Sequence, residues 1–207
     1  MNYKVAGALL AMAAGAGLLI FRQPTLDETV ARLEPELSAR LDAREVQIDP
    51  SELLEIIYNN NVGLRIIDVR EEADFNIFHI VDSRRATLEQ IRDPEWVKKL
   101  PSETVIVVVS NDEKKATEAW KLLAAQKVLN LYILEGGINL WLQVYREGNI
   151  DALPEPDGND KLRHEFTAAL GWRHPASDPD PQHAPKRSYT KKVKDIGGAA
   201  RKTGGCG

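Results

Sequence analysis

One cysteine in 207 residues, Cys206, leaves no partner for an internal disulfide and no set of thiols for a Cys-rich metal site. A disulfide between two chains stays open, so cysteine usage assigns no redox compartment. His164, His174 and His183 are too scattered to read as a metal site. No internal repeat is visible. The net charge of −4 names no partner, and neither a cofactor nor a nucleic acid is expected. Long apolar runs are also missing, with one exception. Residues 5–21 carry no charge and consist of Ala, Gly, Leu, Met, Val, Ile and Phe, flanked by Lys4 and Arg22.

At about 1.5 Å per residue, this run lies at the short end of what spans a bilayer core. A cleaved signal peptide and a buried core helix are the alternatives. Ala14, Gly15 and Ala16 resemble a cleavage site, but Leu18, Leu19, Ile20 and Phe21 continue the apolar run beyond it. The expectation is a single-pass N-terminal anchor over residues 1–22. Its orientation stays open, because Lys4 and the amino terminus balance Arg22, Arg32 and Arg40.

Residues 23–45 are expected to be a linker and stalk helix. Thr25 or Asp27 caps it, Leu26, Val30, Leu33, Leu37 and Leu41 keep helical spacing, and Pro35 kinks or breaks it. A compact alternation of strands and helices then begins near Val46. Asp49, Pro50, Ser51 and Glu52 form a helix-start signal. Residues 64–69, 105–109 and 131–134 read as strands, each followed by a helical pattern, which predicts an α/β fold with a parallel sheet covered on both faces. The β-branched residues 105–109 make the central strand. It runs into Ser110, Asn111 and Asp112, all able to cap the next helix, in a junction that points backbone N–H groups at whatever lies over it.

After Ile150 the composition changes. Proline clusters, glycine and a basic stretch over residues 186–202 argue for an extended tail over 151–207, with one helix over 162–172. The basic stretch suits anionic lipid or an acidic partner protein; a solvated tail is the plain alternative.

Several segments now fall into a recognisable order. Ile67, Asp68, Val69 and Arg70 end one strand, with Asp74 and Phe75 after them. Phe78, His79 and Ile80 follow. Lys115, Ala116, Thr117, Glu118 and Ala119 open the helix after the central strand, and Glu135, Gly136 and Gly137 precede Trp141. Together these resemble the rhodanese-like domains over residues 46–150, with Phe78 in place of a glycine. In active members a loop cysteine after the central strand holds sulfane sulfur as a persulfide. The resemblance places that position at Ser110, whose hydroxyl does not ionise near neutral pH and cannot carry a persulfide. Asn111 stands where arginine is common and Glu113 where glycine is common. Asp112 and Glu113 are expected to repel an incoming anion, so the loop from Ser110 through Lys114 and Lys115 reads as degenerate.

The remaining motif residues have structural readings. Arg70 is expected to pair with a nearby acid such as Asp74, and His79 to be a hydrogen-bonded turn histidine. Asp68 belongs to the family frame, Trp120 and Trp141 pack in the core, and Gly136 and Gly137 allow a tight turn. A Ser110–His79 hydrolase lacks a third partner. The resulting expectation is a membrane-anchored, catalytically inactive domain that acts as a binding or scaffold subunit of a membrane-associated assembly, reaching other proteins through its C-terminal extension. The alternative is a sulfur-trafficking protein using Cys206 as carrier, which predicts a persulfide there. A third reading keeps the loop as an anion sensor without turnover.

Overall fold

The computed structural model describes residues 23–59, 61–146, 159–166, 168–185 and 187–193. The apolar run at 5–21, most of the basic tail and Cys206 lie outside them. Among the described residues no helix is long and apolar enough to cross a membrane.

Helix α1 (Leu26–Asp42) starts at a capping box. Thr25 accepts the Glu28 N–H at 3.2 Å, and the Glu28 carboxylate takes the Thr25 N–H at 2.8 Å. Pro35 neither breaks nor ends it. Pro35 and Ala31, the residue whose carbonyl loses its N–H donor, are both exposed, so the freed acceptor lies on the solvent side of the helix. The stalk reading is overturned as well. Leu37 is buried, and Leu26, Val30, Leu33 and Leu41 pack into the same apolar cluster as Trp120. Arg40 lies over the Trp120 ring, and Glu34 takes Lys121 at 2.6 Å. A stripe with helical spacing has to be buried somewhere, and here the domain itself buries it.

The sheet is parallel throughout, in the order β1-β5-β4-β2-β3. Its strands are β1 (Gln47–Ile48), β2 (Leu64–Asp68), β3 (Arg84–Arg85), β4 (Val105–Val109) and β5 (Leu131–Leu134). The three expected strands are present, β2 ending one residue early. The two-residue edge strands carry too little pattern to be read in advance. Val105, Val107 and Val109 face one apolar cluster while Ile106 and Val108 face the other, which is why the whole of β4 is apolar.

One face is covered by α2 (Pro50–Ile57) and α7 (Gly137–Tyr145). The other is covered by α1, by α6 (Lys114–Ala125), and by the short α4 (Leu88–Arg92) and α5 (Pro94–Val97). The one-turn-and-a-half α3 (Glu72–Ile77) follows β2.

The C-terminal extension differs most from expectation. The described residues of 162–172 do not form a helix, and several of their main-chain N–H groups are bound elsewhere. The Arg163 N–H goes to the Asn139 side chain, and the Leu170 and Gly171 N–H groups both go to the Ile77 carbonyl. Nor do the described parts stand off as a free tail. Leu162, Phe166, Ala176, Ala184 and Val193 pack on the cluster under α2 and α7. Trp141 donates its indole N–H to the Ala176 carbonyl at 2.6 Å, and Glu52 accepts the N–H groups of Lys192 and Val193 at 2.8 and 2.7 Å. The described parts of the extension form a belt on their own domain.

The candidate functional site

The loop after β4 sits at the carboxyl ends of the strands, where open parallel sheets place their sites. Ser110 is fully buried. Its hydroxyl donates to the Asp112 carbonyl at 3.2 Å and accepts the Ala116 N–H at 3.2 Å, so it closes the loop instead of facing a substrate. Neither Ser110, Asn111 nor Asp112 is the N-cap of α6; Glu113 holds that position without a side-chain cap bond.

Asn111 and Asp112 are also buried. The Asn111 amide donates to Asp74 at 2.6 Å and to the Asp160 carbonyl at 2.8 Å, and its oxygen accepts Arg70 at 3.3 Å. Both oxygens of the Asp112 carboxylate accept from Nη2 of Arg163, at 2.6 and 2.7 Å, and Oδ1 also accepts a hydrogen bond from Asn139. Glu113 is held by both nitrogens of Arg44, at 2.7 and 2.9 Å, and accepts the Gly136 N–H at 2.8 Å. Lys114 is exposed and Lys115 pairs with Glu71. The two acids expected to repel an anion are therefore each neutralised by an arginine, and a carboxylate already sits on the loop. The Asp112 N–H donates to Asp160 Oδ1 at 2.6 Å.

Arg70 and Asp68 form the buried ion pair beside this loop, at 2.7 Å. The expected partner Asp74 is instead taken by Asn111. Arg70 also donates to the Phe78 carbonyl at 2.6 Å. His79 is a turn histidine, with Nδ1 2.8 Å from the Phe75 carbonyl and its ring stacked on Phe75. It makes no pair with Ser110. Phe78, the residue standing where the resemblance expects glycine, is fully buried, with Phe166 stacked on it and His174 edge-on. Its ring is what the belt docks on.

Gly136 and Gly137 make the tight turn before α7 with φ of +62° and +59°. They also do more. The N–H groups of Ile138 and Asn139 donate to the Ser110 and Asn111 carbonyls at 2.9 and 3.0 Å, so the start of α7 is the floor of the loop. Trp120 and Trp141 are core residues. His174 caps a short turn, and His183 pairs with Asp180 at the surface.

Sequence reasoning missed Asn139, Asp160 and Arg163. Asn139 carried a signal, being a polar residue on the apolar face of α7 between Ile138 and Trp141. Asp160 and Arg163 carried none, because their role depends on a contact across the fold.

His164 extends this cap. It faces the Asn139 carbonyl at 3.2 Å and Arg146 at 3.3 Å. Burial holds its imidazole below the ordinary value; the charges of Arg146 and Arg163 act the same way, against the Asn139 hydrogen bond. Lowered in the folded state, it contributes stability above the ordinary imidazole value of about 6.5 that is lost as pH falls through the folded value. Thermal unfolding of the wild type is expected to drop between about pH 7 and 5 more steeply than that of His164→Gln. Parallel slopes for the two proteins would refute this.

Comparison with known proteins bears on the same region. Residues 49–144 match the rhodanese-like domain family. A centrosomal protein of 41 kDa from Danio rerio is 28% identical over 134 residues, covering 56% of this chain and 36% of that protein. A rhodanese-related protein of Thermoplasma volcanium superposes with a TM-score of 0.41 at 26% identity, covering 47% of this chain and 90% of that one. A rhodanese-like domain protein of Staphylococcus aureus does so with a TM-score of 0.41 at 18% identity, covering 46% and 90%. Residues 49–144 of this chain are a rhodanese-like domain, and they contain no cysteine.

Proposed function

We propose that this is a membrane-anchored, catalytically inactive rhodanese-like domain that serves as a binding or scaffold subunit of a membrane-associated assembly. One observation carries the reading. In the loop where the family resemblance puts a sulfur carrier, Ser110 is buried with its hydroxyl engaged twice, and the adjacent amide holds a carboxylate of the same chain. Acquiring a persulfide needs an exposed thiolate. The anchor rests on the apolar run at residues 5–21. Helix α1 begins with Asp27 paired to Arg92 and leads to Arg44 beside the loop, about 25 Å further on at 1.5 Å per residue.

The purified chain is expected to show no thiosulfate:cyanide sulfurtransferase turnover above the buffer rate. Turnover that survives Cys206→Ser would sink the inactive reading. Turnover that disappears with Cys206 would move the assignment to the sulfur-carrier class.

A further inference from the structure

The segment lying on the loop is held as a bound peptide is held. Asn139 reads its main chain twice, Nδ2 donating to the Lys161 carbonyl at 2.8 Å and Oδ1 accepting the Arg163 N–H at 2.8 Å. Asn111 reads it a third time through the Asp160 carbonyl at 2.8 Å. Two side chains of the segment are read by charge and hydrogen bonding. The Asp160 carboxylate takes the Asp112 N–H at 2.6 Å, and Arg163 grips the Asp112 carboxylate with both contacts under 2.8 Å. Between them Lys161 is exposed and Leu162 packs on the apolar cluster. Paired side-chain amides on the main chain, with charged contacts at the first and fourth positions and an apolar one at the third, are the elements of peptide recognition.

We infer that the loop around Ser110 is a peptide-binding socket for segments of the form Asp-x-Leu-Arg, and that residues 160–163 are its resident ligand. The inference deepens the binding-subunit reading and rests on it. The socket is built wholly from residues of the domain, Asn111 and Asp112 on the loop and Asn139 on α7, and the loop is pinned to α7 by the Ser110 and Asn111 carbonyls. On its N-terminal side the ligand is joined in the chain to α7 through residues 147–158, twelve residues that at about 3.3 Å each reach roughly 40 Å when extended, and on the other it runs on towards Phe166. Its fit is also incomplete. Asp160 Oδ2 is buried with no hydrogen-bond partner among the described residues, so seating the segment carries a desolvation cost that its release removes. A partner protein presenting the same four-residue chemistry can therefore take the socket in trans, with the resident segment released.

The test uses the full chain in mild detergent and a fluorescein-labelled synthetic peptide spanning residues 158–168. Asp160→Asn combined with Arg163→Gln is expected to empty the socket and bind the peptide at least tenfold more tightly than the wild type, by fluorescence anisotropy. A peptide carrying the same two substitutions should lose that affinity, as should the receptor with Asn139→Ala added. A folded double variant that binds the labelled peptide no better than the wild type overturns the inference. If the double variant does not fold, Arg163→Gln alone makes the comparison, with a gain of about threefold expected and no gain overturning it. Sulfurtransferase turnover would refute the inactive reading without changing these affinities, so the two failures are separable.

Discussion

Gly137→Ala is expected to cost the domain about 4 kcal/mol or more of unfolding free energy, a loss in the exceptional range for one substitution. Two effects add. The residue sits at φ +59°, where a side chain costs on the order of 1–3 kcal/mol. A Cβ there would also lie 2.0 Å from the Asp112 carbonyl oxygen, 2.4 Å from that of Ser110 and 2.6 Å from that of Asn111. All three obstacles are backbone atoms of the loop, so no rotamer change relieves them. The loop and α7 would have to part, breaking the hydrogen bonds from Ile138 and Asn139 that hold them together. Gly136→Ala is the useful control. Its φ of +62° brings the same backbone strain, but the added Cβ meets the Leu140 side chain, with the nearest atom at 2.5 Å. Urea unfolding should rank Gly137→Ala well below Gly136→Ala. A Gly137→Ala domain within about 1 kcal/mol of wild type would refute the packing described here.

Arg70→Met is expected to be nearly as damaging, at about 3–5 kcal/mol, because it leaves a buried carboxylate without its cation. Arg70 and Asp68 are both almost fully buried, and Arg70 Nε and Nη2 contact the carboxylate at 2.7 to 3.1 Å. The same guanidinium ties the Phe78 carbonyl and Asn111 into one network, so the loss spreads to the loop and to the C-terminal end of α3. Arg70→Lys should also lose much of this stability, since a point charge cannot reach four acceptors in a fixed fork. Replacing both members, as Asp68→Leu with Arg70→Met, should cost less than Arg70→Met alone. A buried apolar pair carries no desolvated charge. Chemical unfolding of the three proteins checks the order. A double variant worse than the single one would show that the network, and not the unpaired charge, sets the cost.

Much of the architecture was legible because it is local. The β-branched run at 105–109 has to be buried on both faces, and alternate residues go to opposite clusters. Asp49 and Pro50 start a helix for reasons confined to a few atoms. The turn at Gly136 and Gly137 needs positive φ whatever surrounds it. The break expected at Pro35 is absent for a local reason too: the rule that proline ends a helix assumes the freed carbonyl has no other partner, and here its residue lies on an exposed face. Residues 23–45 looked like a stalk because an apolar stripe says that it is buried and not against what. That Arg70 pairs with a nearby acid was legible, but not which one: the structure places Asp68, and not Asp74, beside it.

The site divides along the same line. From the sequence alone came the frame of a rhodanese-like domain, the absence of any cysteine within it, and the position of Ser110 at the end of the central strand, since these depend on residue identity and order. What occupies the loop was decided only in three dimensions. Asp160 lies 48 residues from Asp112, in a stretch with no periodicity, and Phe78 reads as a mere departure from glycine until Phe166 is seen stacked on it. Hydrogen-bond partners so distant in sequence leave no spacing to detect, so the contact on the loop exists only once the chain has closed around it.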